Sequence, residues 1–122
     1  MLRCLLISVV LILCPLPGHA AVKTIGQGES LQLDPSALPP EMKAANAIML
    51  SKCTHCHSLE RTIVAVNSGI APISGRPFDR AAVHSYGRKM LRKQDTHMSK
   101  DEVRMVVELL TYLIDTERSR KP

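Results

Sequence analysis

Apolar residues recur with a helical period in three stretches of the chain. From residue 41 onward, Met42, Ala45, Ile48 and Met49 fall on one face, behind Pro39-Pro40 and an acidic first turn. A second pattern spans residues 79–92, where Ala82, Val83, Tyr86 and Met90 share a face. The third is the clearest: Ser99 with Glu102 three residues on forms a capping box, and Val103, Val106, Val107, Leu110, Leu113 and Ile114 make one stripe. Arg118, Arg120 and Lys121 follow, the charge sign that suits a helix C-terminus. Between the first two patterns, Leu59, Ile63, Val64 and Val66 fit a short helix or a wrapping segment. Asn67-Ser68-Gly69, Pro72, Gly75 and Pro77 then signal a loop. Residues 21–40 hold Gly26, Gly28, Pro35, Pro39 and Pro40 without a period, and read as an extended lead-in. No strand and no repeat emerges, so the expected class is all-α.

The ends narrow the picture. Met1-Leu2-Arg3 is a short positive segment, Cys4 to Leu13 is apolar, and Pro15 to Ala20 breaks the run with small residues near its end. Residues 1–20 read as a secretory signal peptide cut after Ala20, which predicts an exported, periplasmic protein. The apolar run is too short for a retained membrane-spanning helix, which needs about 20 residues. Cys4 and Cys14 leave with that segment. The remaining residues hold one Phe, two Tyr and no Trp, too few aromatic side chains to fill a core in the usual way. A large flat apolar cofactor suits such a composition. Arg3 is the one basic residue lost at the cut, leaving fifteen Lys and Arg against eleven Asp and Glu. The positive balance suits docking to an acidic partner protein. Nucleic acid does not suit as a partner, because the charges are dispersed and no aromatic residues interleave with them.

Cys53-Thr54-His55-Cys56-His57 carries the chemistry, a C-x-x-C-H run with the spacing of c-type haem attachment. Two thiols on one turn can add to the two vinyl groups of a porphyrin, and the adjacent imidazole can bind iron. Zinc is a weaker reading, since a structural site needs four N/S ligands and would have to recruit His57 with His84 or His97. A thioredoxin-like redox pair would sit in a βαβ pattern, which the chain lacks. No nucleophile–base arrangement suggests an enzyme.

A helix running into C-x-x-C-H, followed by a capped final helix containing Tyr112-Leu113, resembles the class I mono-haem cytochromes c over about residues 41–118. That resemblance implies a small fold whose N- and C-terminal helices cross around one covalent haem c, with Ala45 and Tyr112 as the matching pair at the crossing. It implies thioether bonds from Cys53 and Cys56 and proximal ligation by His57. It also implies a methionine distal ligand: Met90, in the Arg88-Lys89-Met90 run, with Met98 as the alternative and Met105 less suited. Pro72 stands where the family supplies a carbonyl to the proximal imidazole, and Arg61, Arg76, Tyr86 and Arg88 are candidates for the haem propionates. Lys52, Arg88, Lys89, Arg92 and Lys93 are candidates for a basic docking rim. The implied function is soluble one-electron transfer between redox partner proteins. A haem subunit of a larger oxidoreductase and a five-coordinate gas-binding sensor are the alternatives.

Overall fold

The computed structural model describes residues 22–122; the expected signal peptide, its cut after Ala20, and Cys4 and Cys14 lie outside the described residues. Four helices make up most of the fold: α1 (Pro40–Lys52), α2 (Glu60–Ser68), α3 (Arg80–Arg92) and α4 (Lys100–Arg120). Local chemistry sets their ends. Pro40 opens α1, where its missing N–H costs nothing. Gly69 closes α2 in the left-handed region, at φ 76°. Asp79 caps α3 by accepting from the Ala82 amide at 2.9 Å. Ser99 caps α4 through the Glu102 amide, and the Glu102 carboxylate accepts from the Ser99 amide in return. Among the described residues no helix is long and apolar enough to cross a membrane.

Helix α4 is the centre of the packing. It lies against α1, α2 and α3, and Leu109 in its middle is completely buried. The stripe expected on α4 therefore covers only part of the buried surface. Val103, Leu113 and Ile114 are buried as anticipated, whereas Val106, Val107 and Leu110 are half-buried. Leu109 and Glu117 are buried outside that stripe, because a helix packed on several sides has no single apolar face. Ala45 is buried on α1 and Tyr112 packs half-buried against the core.

Residues 22–40 are more ordered than an extended lead-in. A hairpin of β1 (Thr24–Ile25) and β2 (Gln32–Leu33) pairs antiparallel, with Thr24 opposite Leu33. Its turn requires glycine at Gly26, where φ is +80° and a Cβ would sit 2.3 Å from the Ser30 carbonyl oxygen. Leu33 enters the core at 1 % exposure, and Leu38 follows it after a single 3-10 turn capped by Asp34. The amide of Val22 donates to Glu117 Oε1 at 2.9 Å, fastening the segment to the last turns of α4.

Glu117 is a buried carboxylate with defined partners. Its side chain is 5 % exposed and accepts from Arg120 Nη2 at 2.8 Å. Burial pushes its pKa upward, but the Val22 amide and the Arg120 guanidinium outweigh that effect and hold it below the ordinary glutamate range. On acidification the unfolded chain therefore takes up its proton first. Glu117 contributes stability that is complete above the ordinary value and is lost as pH falls through the depressed folded one. Asn46 is the opposite case: it is buried on α1 and its Oδ1 has no hydrogen-bond partner among the described residues.

Glu117→Gln should lower stability by about 1–2 kcal/mol at neutral pH, by weakening charge-assisted bonds. The deficit should shrink in acid, as read from denaturant midpoints at matched m-values across pH. Asn46→Leu keeps the branching and removes the unpaired oxygen, so it should raise stability by about 1 kcal/mol in the same assay.

Candidate functional site

The loop from α2 to α3 folds back on itself. Ile70 bridges Pro77, the Ala71 amide donates to the Arg76 carbonyl at 2.8 Å, and the Phe78 amide donates to the Gly69 carbonyl at 2.8 Å. Phe78 is thereby turned into the core while Pro72 and Ile73 project, Ile73 with 81 % of its surface exposed. This tongue forms one lip of an open cleft of about 270 Å³. The apolar walls come from Met49 on α1, Thr62 and Ala65 on α2, Val83 and Gly87 on α3, and Val106, Val107 and Leu110 on α4.

Four residues singled out by sequence line this cleft: Cys53, His57, Met90 and Met98. They come from different parts of the fold. Cys53 caps the C-terminus of α1 and begins a 3-10 turn that ends at His55. His57 follows in the exposed bend before α2, Met90 sits near the end of α3, and Met98 immediately precedes the α4 cap. Arg61 and Tyr86 stand at the same cleft, so two of the four expected propionate partners reach it, whereas Arg76 and Arg88 do not line it. Cys56 is exposed and unbonded to Cys53. Met105, His84 and His97 do not line the cleft.

The thiol chemistry is uneven. Burial pushes the Cys53 pKa up, and the neighbouring Cys56 adds to that effect. A thiol held protonated is a poor thiolate ligand and a poor redox nucleophile. Among the described residues no three His, Cys, Asp or Glu side chains come together as a metal-ion group, so the zinc arrangement with His84 or His97 is not assembled. The cleft suits an apolar group better than a bare ion, because its walls are hydrocarbon and its donors are the Cys53 thiol, one imidazole and two methionine sulfurs.

Two sequence expectations need correction. His57 Nδ1 lies 3.2 Å from the carbonyl oxygen of Ser58, its own neighbour, and not from that of Pro72. Donation from Nδ1–H fixes the tautomer whose Nε2 carries the free lone pair, the form a metal requires. Lys52 is not a free member of a basic rim. Its ammonium donates to the His97 carbonyl at 2.9 Å and pairs with Glu102 at 2.7 Å. The remaining rim residues, Arg88, Lys89, Arg92 and Lys93, are exposed, with Lys89 Nζ 5.1 Å from the Tyr86 ring centroid.

Gly87 is a functional position that sequence reasoning missed. Glycine inside a helix reads as a local weakness, yet here α3 lies so close to α4 that an added Cβ would sit 2.7 Å from Val107 Cγ2 and 3.3 Å from Val103 Cγ1. That approach carries Tyr86 and Met90 to the cleft. Its one signal in the sequence is glycine at the centre of the Val83–Met90 face.

Gly87→Ala gains helix propensity, about 1 kcal/mol, but must displace a stiff β-branched side chain or the whole of α3, at about 1–3 kcal/mol. The net expectation is a small loss of stability for Gly87→Ala and a loss of several kcal/mol for Gly87→Val, measured by thermal or denaturant unfolding.

No protein-family model, curated protein or solved structure matches this chain. The reading of the site therefore stands on its residues and their arrangement.

Proposed function

We propose that the cleft holds one covalently attached haem c and that the protein carries single electrons between redox partners in the periplasm. The observation that supports this reading is the convergence of Cys53, His57, Met90 and Met98 on one apolar cleft, although 45 positions separate the first from the last. Bound there, haem supplies a reversible Fe(III)/Fe(II) couple.

The chain's own residues have distinct tasks in this scheme. Cys53 and Cys56 hold the porphyrin edge by thioether bonds. Cys53, half-buried at the cleft, would hold one edge of the group there, and the exposed Cys56 would supply the second thioether. His57 donates from Nδ1 to the Ser58 carbonyl and offers Nε2 as the proximal ligand. Met90 is the first candidate for the distal thioether and Met98 the second; a soft sulfur ligand favours the reduced metal and raises the potential. Val83, Val106, Val107 and Leu110 exclude water from the metal, which keeps reorganisation small on electron transfer. Arg61 and Tyr86 are available at the mouth for carboxylate side groups. Arg88, Lys89, Arg92 and Lys93 give the C-terminal part of α3 a positive surface for an acidic partner.

The test is expression with export and haem-attachment machinery, followed by spectroscopy of the purified protein. Haem should stay with the polypeptide through denaturation, and Cys53→Ala with Cys56→Ala should abolish that retention. Oxidised protein should show the weak long-wavelength band of an iron–thioether bond, lost in Met90→Ala and kept in Met98→Ala. Absence of covalent haem in the exported wild type overturns the reading.

A further inference from the structure

Lys52 immediately precedes Cys53, yet its contacts lie 45 and 50 positions along the chain. Its three ammonium donors meet a compact acceptor set, the His97 carbonyl at 2.9 Å and the two Glu102 carboxylate oxygens at 2.7 and 2.8 Å. The same carboxylate closes the capping box on the Ser99 amide. His97 is the one non-glycine residue with positive φ among the described residues, at 49°, a conformation that persists only when its surroundings hold it. Its neighbour Met98 lines the cleft. One residue earlier, the Thr96 hydroxyl lies within hydrogen-bonding range of the Met90 carbonyl, at 3.3 Å, and of the Lys93 carbonyl, at 2.9 Å. The connection between α3 and α4 is thus tied to the end of α1 through Lys52 and to the end of α3 through Thr96.

We propose that Lys52 is a positioning residue: its ammonium clamps the α3–α4 connection to the residue before Cys53, and so holds Met98 and the Met90 end of α3 in the cleft. This rests on the haem reading only for what the methionines do. The clamp itself is a property of the polypeptide. Lysine suits the task because a compact ammonium on a long apolar stem can satisfy a backbone carbonyl and a carboxylate at once. Without it, the His97 carbonyl and the left-handed turn lose their anchor, and the thioethers lose their fixed distance from the thiols and imidazole that leave α1 just beyond Lys52.

The experiment compares wild type with Lys52→Met, which keeps the stem and removes the ammonium, Lys52→Arg, which keeps the charge, and Lys43→Met, an exposed change on α1 that removes the same charge elsewhere. Two readouts are taken on the exported full chain. Amide hydrogen exchange over residues 96–99 should quicken at least tenfold in Lys52→Met, stay near wild type in Lys43→Met, and be largely restored in Lys52→Arg. In the reduced, haem-loaded protein, carbon monoxide should bind at least tenfold faster in Lys52→Met than in Lys43→Met, since it competes for the position the thioether occupies. Unchanged exchange and unchanged carbon monoxide binding in Lys52→Met overturn the clamp. Equal effects in Lys43→Met reduce it to net charge and overturn it as well. Wild type without haem overturns the proposed function, and the exchange measurement then decides the clamp alone.

Discussion

The close approach of α3 to α4 at Gly87 is the constraint on which the cleft depends. A side chain at this point of α3 would collide with the Val107 and Val103 side chains of α4, and the chain places its single α3 glycine there. With that contact made, Val103 and Val107 are engaged from one side while Leu109 and Leu113 on the same helix are buried in the core. One helix then serves both as the centre of a core and as the wall of an open site. Val106 and Leu110 of the apolar stripe line the cleft beside Val103 and Val107.

That division explains why the cleft is apolar and open together. Solvent in contact with hydrocarbon is unfavourable, roughly 25 cal/mol for each Å² left uncovered, and a domain of this size has little surplus stability to spend. The walls therefore favour any flat apolar group that can be seated between the Pro72–Ile73 lip and α4. The polar elements at the rim are few and anchored: His57 by its neighbour's carbonyl, and the α3–α4 connection by Lys52. Under the proposed electron-transfer reading such anchoring would matter, since little should move when charge changes.

Much of this was legible in the sequence where the signal was local. The capping box of Ser99 and Glu102 marked the start of α4, the proline pair marked α1, and the C-x-x-C-H run marked Cys53 and His57 at the cleft, while its Cys56 is exposed and does not line it. What stayed hidden depended on partners far along the chain. The strands of the hairpin are two residues each, too short for an alternating pattern to register, and the glycines that make its turn read equally well as disorder. Leu109 and Glu117 were missed because periodicity assumes one buried face. Lys52 looked like surface charge because its partners lie 45 and 50 positions away. The choice between Met90 and Met98 was not settled by spacing, and both sulfurs line the same cleft.

The bond between Val22 and Glu117 joins residues 95 positions apart, so it encloses nearly every other contact in the described chain. Closing so large a loop costs the most chain entropy of any single contact here and is repaid last. The clasp is therefore a reporter of completed folding. It also ties Val22 to the final turns of α4 through a titratable group, so this contact weakens as pH falls through the lowered Glu117 value.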